Sequence, residues 1–185
     1  QIETLFNDAS AGRIEIQNHT NEHIHVQSST GRATVIADLE AGIALLKTHN
    51  IVCPHIAYPG GHFDYWGKEI VSNYFKSARA AGGTYNYHSL FDPYAVRCVG
   101  CDLVTDAYLQ GIVDQTKLLG AISSIYLHAI HPDGVIGTND DVCLTPARLT
   151  AFIQYAKAAG VRIIGYTQAV QELQCWGANV YNPWT

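Results

Sequence analysis

Three stretches of this sequence carry side chains suited to hydrolytic chemistry. "HTNEH" places His19 and His23 four residues apart, "AYPGGHFD" makes a tight turn through Tyr58, Pro59 and Gly60, and "IYLHAI" ends an apolar run on His128. On one helical turn a spacing of four brings two imidazoles to one side, within reach of a single divalent ion. A lone pair of this kind also suits a polar surface loop, and a lone strand-end histidine also suits a core. The metal reading therefore depends on the elements that position the three stretches.

Those elements alternate. Residues 2–9 read as a helix stopped by Gly12, and "RIEIQ" alternates like a strand. "ATVIADLEAGIALLKTHN" gives a helix with Val35, Ile36, Leu39, Ile43 and Leu46 as its apolar stripe, and "VCPHIAYPG" gives a short strand ending in a turn. "DYWGKEIVSNYFKSARAAGG" reads as a helix ending on its glycine pair, followed by a strand in "TYNYHSL" and a turn with a short strand in "FDPYAVRCVGCDL". "DAYLQGIVDQTKLLG" is helical, "SSIYLHAI" is a strand, and "HPDGVIGTNDDVC" is a polar loop. Thr145 as cap and Pro146 at the first helical position start another helix, and "VRIIGY" and "TQAVQEL" supply a last strand and helix. The alternation implies a single α/β domain over residues 1–185 with parallel strands and helical crossovers. In such folds the carboxyl ends of the strands carry the site, and all three stretches fall at strand ends.

The composition narrows the function classes. A formal charge of −5 over 185 residues argues against a nucleic-acid partner, and no apolar run approaches the ~18 residues of a membrane span. The chain opens at Gln1 and contains no Met, which implies that something upstream has been removed. Its five cysteines leave at least one unpaired, and Cys98-x-x-Cys101 lacks the second pair that a four-sulfur zinc site needs. Ordinary thiols or one disulfide remain as alternatives.

Taken in order, these motifs resemble the polysaccharide deacetylases, the NodB-homology domain of carbohydrate esterase family four. "HTNEH" matches the family's His-[Ser/Thr]-x-x-His motif, "AYPGGHFD" its Pro-containing turn, and "IYLHAI" its late strand ending in histidine. "LTPARLTAFIQYAKAAGVRIIGYTQAV" is similar to the closing helix, strand and helix, so the resemblance covers nearly the whole chain. It implies a distorted (β/α) barrel of the deacetylase type, incomplete at the N-terminus. It implies His19 and His23 as ligands to Zn²⁺ or another divalent ion, with Thr20 supporting their loop by hydrogen bonding. Gly60 N–H would donate to the tetrahedral oxyanion and His128 would protonate the leaving group, with Tyr58, Pro59 and Tyr126 bordering the substrate. The substrate would be an acetylated polysaccharide, N-acetyl amino sugar favoured and O-acetyl allowed, in an extracellular or envelope-facing location.

This chain departs from the family pattern in three places. Gly60 stands where the family often has an aromatic, and Tyr126 where it usually has Leu. The family's first motif, a Thr-Phe-Asp-Asp run that supplies the general base and third metal ligand, is absent. Asp8 in "TLFND" lies too close to the histidines, Asp140 and Asp141 read as loop residues, and Asp92 and Arg97 match too loosely for roles. The missing strand would then come from an N-terminal segment or from a separately cleaved piece of the same polypeptide. The alternative is a non-catalytic carbohydrate-binding or structural module that keeps the fold, with Tyr58, Phe63, Tyr65 and Trp66 as candidate sugar-stacking rings.

Overall fold

The computed structural model describes residues 2–102, 104–131 and 144–179. It is mixed α/β, with six α-helices: α1 (Ile2–Ser10), α2 (Arg32–Thr48), α3 (Tyr65–Ser72), α4 (Asp106–Leu119), α5 (Pro146–Ala158) and α6 (Tyr166–Asn179). Six short strands join them: β1 (His55–Ala57), β2 (Ser77–Arg79), β3 (Tyr85–Asn86), β4 (Val99–Gly100), β5 (Ile122–Ser123) and β6 (Ile125–Tyr126). Among the described residues these strands pair into three two-stranded sheets, and none closes into a barrel. No described helix is long and apolar enough to cross a membrane.

The chain divides into two compact units, the first from Gln1–Ala81, Asp92–Val96 and Gly165–Val170, the second from Gly82–Phe91, Arg97–Ile164 and Gln171–Thr185. In the first, β1 and β2 run parallel, with Ile56 opposite Ala78. Parallel bridges extend the pair on both sides, Asn18 to Ile56 and Arg79 to Val96, so four extended segments lie side by side. Helices α2 and α3 are the crossovers. Their core is Val26, Val35, Leu39, Ile56, Tyr58, Ile70, Val71, Phe75, Ala78 and Ala80.

Three expected elements come out differently. "RIEIQ" is extended but joins the strands only through the single bridge at Asn18. The long helix expected from Asp64 stops at Ser72, and Ser77–Arg79 is a strand instead. The residues that favoured helix there, Ser77, Ala78 and Ala80, are small and buried, so tight packing between neighbouring strands overrides alanine's helix preference. "VRIIGY" forms no strand, and Ile163 is exposed.

In the second unit β4 and β6 run parallel, with Gly100 opposite Tyr126, whereas β3 and β5 are antiparallel. Cys101, Leu109, Ile112 and Leu144 form its core. Thr105 caps α4 by accepting from Tyr108 N–H, and Gly120 ends it in the left-handed conformation. The start expected at Thr145 and Pro146 is where α5 begins, with Thr145 accepting from Arg148 N–H. Cys53, Cys98, Cys101 and Cys175 are thiols and not disulfides. Cys98 and Cys101 are both buried, and burial raises the Cys101 thiol to about 11.

Candidate functional site

The carboxyl end of the first unit's strands bears the His19–His23 turn. Asn18 is stitched to β1 from both sides, its N–H donating to His55 O at 3.2 Å and its carbonyl accepting from Ala57 N–H at 2.9 Å. The chain then turns sharply without forming a helical turn. Thr20 (φ 63°) and His23 (φ 54°) both adopt the left-handed region, which costs free energy for residues bearing a Cβ. Three features hold that strain. Buried Asn18 accepts from Thr20 N–H at 2.8 Å. Asp38, 9 % exposed on α2, accepts from Asn21 N–H at 2.7 Å and from Glu22 N–H at 2.9 Å. Gly42, one turn further along α2, leaves space that a Cβ would take, because that atom would lie 2.8 Å from Asn18 Nδ2.

The turn does what a helix was expected to do. The rings of His19 and His23 meet edge to face, with centroids 4.9 Å apart. His19 Nδ1 lies 2.8 Å from Ala57 O; a carbonyl only accepts, so that nitrogen carries the proton and Nε2 carries the lone pair. This is the outer-shell arrangement by which a backbone carbonyl orients a ligating imidazole. Thr20 supports the loop by hydrogen bonding through its backbone N–H to Asn18, whereas its buried hydroxyl oxygen has no hydrogen-bond partner among the described residues.

The second stretch follows β1 on the same edge. Tyr58 is fully buried, stacks on Phe63 with centroids 4.8 Å apart, and donates its hydroxyl to Tyr94 O at 3.1 Å. Burial, reinforced by the Asp92 charge, pushes the phenol well above its ordinary range. Tyr58 is thus a pillar beneath the turn and not a substrate-facing ring, and Pro59 is buried beside it. Gly60 is exposed, at φ 61°. Gly61 is forced by close approach, since a Cβ there would lie 2.2 Å from Ala81 Cβ. Of the candidate sugar-stacking rings, Tyr65 is 86 % exposed, whereas Phe63 and Trp66 pack against the core.

The second unit holds His128. Its Nδ1 lies 2.8 Å from Asp102 Oδ2, and its backbone N–H donates to Asp102 Oδ1, also at 2.8 Å. Asp102 is 5 % exposed and the imidazole 60 %, so a buried carboxylate holds a ring whose far edge meets solvent. The Tyr126 ring stands edge-on to His128 at 5.4 Å, and its hydroxyl occupies the space beside Gly100 where a Cβ would be only 2.8 Å away.

Sequence reasoning missed Asp102. The signal was register: Gly100 pairs with Tyr126 in parallel strands, so the residues two places beyond each, Asp102 and His128, emerge side by side. Asp38 was missed because an acid among the apolar positions of a helix reads as solvated.

No protein-family model matches the chain, and no curated protein matches it either. The site is therefore judged on its own geometry.

For a divalent ion, the His19–His23 pair fits as two nitrogen donors of a four-ligand shell. Among the described residues no set of three or more His, Cys, Asp and Glu side chains converges. The other acids are accounted for locally: Asp8 pairs with Arg13 at 2.5 Å, and Asp92 pairs with Lys68 and accepts from Tyr94 N–H. Arg97 lies against Gly83, where a Cβ would be 2.8 Å from its Cδ. Asp140 and Asp141 lie outside the described residues. Among the remaining histidines, His49 stacks on Phe6 and buried His55 bonds Ser77 Oγ at 2.8 Å.

Proposed function

We propose that this chain has a deacetylase-type (β/α) barrel fold and removes acetyl groups from an acetylated polysaccharide outside the cell or at its envelope. The observation that carries the reading is the imidazole pair on a strained strand-end turn, with His19 Nδ1 committed to a backbone carbonyl. Backbone strain maintained by a buried carboxylate is the mark of a turn kept for its shape.

His19 and His23 would hold a divalent ion, zinc by its preference for imidazole. That ion, when bound, supplies Lewis acidity at the acetyl carbonyl. Gly60 N–H, exposed at the tip of its turn, donates to the oxygen on which negative charge develops. Gly61 and His62 cannot serve in its place, since their N–H groups are spent inside the turn on Tyr58 O and Pro59 O. Water adds to the acetyl carbon, losing a proton to the base that the family's first motif would supply, and the C–N bond breaks. His128 gives its Nε2 proton to the departing amine, and Asp102 fixes the ring. An ester would be cleaved by the same groups, with an alkoxide leaving in place of the amine.

The test is acetate release from a partially acetylated amino-sugar polymer by the full-length protein. Release is expected to stop on adding a chelator and in His19→Ala. Release that survives both treatments overturns the proposal. Retention on the polymer with no acetate formed would point instead to the carbohydrate-binding module.

A further inference from the structure

We infer that His25 and His62 form a second divalent-cation site, separate from the His19–His23 pair, suited to first-row transition ions that prefer imidazole nitrogen. A single parallel bridge, Val26 to Phe63, sets the two residues beside each other. Side chains alternate along extended chain, so Val26 and Phe63 turn to the core while their predecessors share the outer face. Neighbouring strands lie about 4.8 Å apart. The two imidazole centroids are 4.8 Å apart, matching that spacing, with planes inclined at 42°.

The backbone beneath them is clamped. Thr30 donates its hydroxyl to His25 O at 2.7 Å, and His62 N–H donates to Pro59 O at 3.2 Å. Just beyond the bridge, Asp64 accepts from Ser28 N–H and from Gly67 N–H, both at 2.7 Å, which ties the two segments together and caps α3. A hydrogen bond from the Ser28 side chain foremost, and then those two backbone bonds, hold the Asp64 carboxyl below its ordinary range.

Gly60 completes the geometry. A Cβ on that residue would lie 3.3 Å from His25 Nε2 and 3.4 Å from His62 Nε2, so both nitrogens border one hollow that only a glycine leaves open. Both rings are exposed, and water reaches the hollow to supply further ligands. Because no three such side chains converge among the described residues, this pair and the His19–His23 pair are distinct.

The test is equilibrium dialysis of the full-length protein against Ni²⁺ alone at neutral pH, counting ions per chain. His25→Ala and His62→Ala are each expected to bind one ion fewer than the unaltered protein, while His88→Ala binds the same number. Both altered residues are exposed, so neither substitution removes core. His19→Ala should leave the His25–His62 ion in place, whether or not it loses an ion of its own, which separates failure of this site from failure of the deacetylase reading. An unchanged count and affinity in both His25→Ala and His62→Ala overturns the inference. So does loss of the same single ion in His19→Ala and His62→Ala.

Discussion

Asp38 and Asp102 are both buried carboxylates, one in each unit, and they are used in opposite ways. Asp38 spends both oxygens on backbone N–H groups, those of Asn21 and Glu22, and touches no imidazole. Asp102 spends one oxygen on a backbone N–H and the other on the His128 ring itself. The first shapes a turn so that two imidazoles meet; the second decides which nitrogen of one imidazole bears the proton. A group that binds a cation needs placement, and a group that moves a proton needs placement and a defined tautomer. The two carboxylates therefore predict different failures when removed.

The largest effect is expected at Asp102. In Asp102→Asn the amide retains an oxygen for His128 N–H but turns its NH₂ toward Nδ1, so Nδ1 must accept and the ring keeps only the Nε2 proton as a neutral imidazole, too weak an acid to protonate the departing amine. Acetate release should fall about a hundredfold or more, the range that a general acid contributes, with the melting temperature nearly unchanged. Imidazole ¹⁵N shifts of His128 would report the altered tautomer. Undiminished activity would mean that the pair is only structural.

Asp38→Ala should do the reverse, costing stability first. Two N–H groups lose a charged acceptor, each such bond being worth about 1.5–3 kcal/mol, so urea unfolding should show a loss of about 3 kcal/mol. Ion binding by His19 and His23 should weaken with it, because the turn then loses one of the three features that hold Thr20 and His23 in the left-handed region. A destabilised variant that binds ions as before would show that the turn keeps its shape without Asp38.

These two residues also mark the limit of what the sequence disclosed. The meeting of His19 with His23 and the turn at Gly60 were legible because imidazoles, glycines and strand ends leave local patterns. Asp38 and Asp102 were not, because their roles depend on which strand lies beside which and on the face that a helix turns inward. The α5 start at Thr145 and Pro146 was readable for the same local reason, whereas β2 was hidden in "KSARA", where small residues chosen for burial imitate helix formers. The barrel that the family resemblance implies is not closed among the described residues, since pairing beyond nearest neighbours leaves no trace in local motifs.

A smaller effect tests the space beneath the first turn. Gly42→Ala should gain about 1 kcal/mol in α2 from helix preference but drive a Cβ to within 2.8 Å of Asn18 Nδ2. Overpacking of a buried group costs about 1–3 kcal/mol, so the net change should be a loss of about 1 kcal/mol by thermal unfolding. A net gain would show that Asn18, and with it the turn, yields easily.

The smallest effect concerns a third way of holding an imidazole. His55 is buried, its Nδ1 meets the Ser77 hydroxyl instead of a carboxylate, and its Nε2 has no hydrogen-bond partner among the described residues. Burial lowers its pKa below the ordinary 6.5, with the Glu15 charge opposing and the Lys76 charge adding to the shift. The unfolded chain therefore takes up this proton more readily than the folded one, and stability rises with pH across that interval. The contribution is complete above pH 6.5 and is lost as pH falls toward the depressed folded value. Melting temperatures from pH 7.5 down to about 5.5 should thus decline more steeply in the unaltered protein than in His55→Gln, which cannot be protonated. Parallel slopes would mean that His55 carries its charge in the folded state at no cost. The contrast with His128 would then have to rest on the carboxylate alone and not on burial.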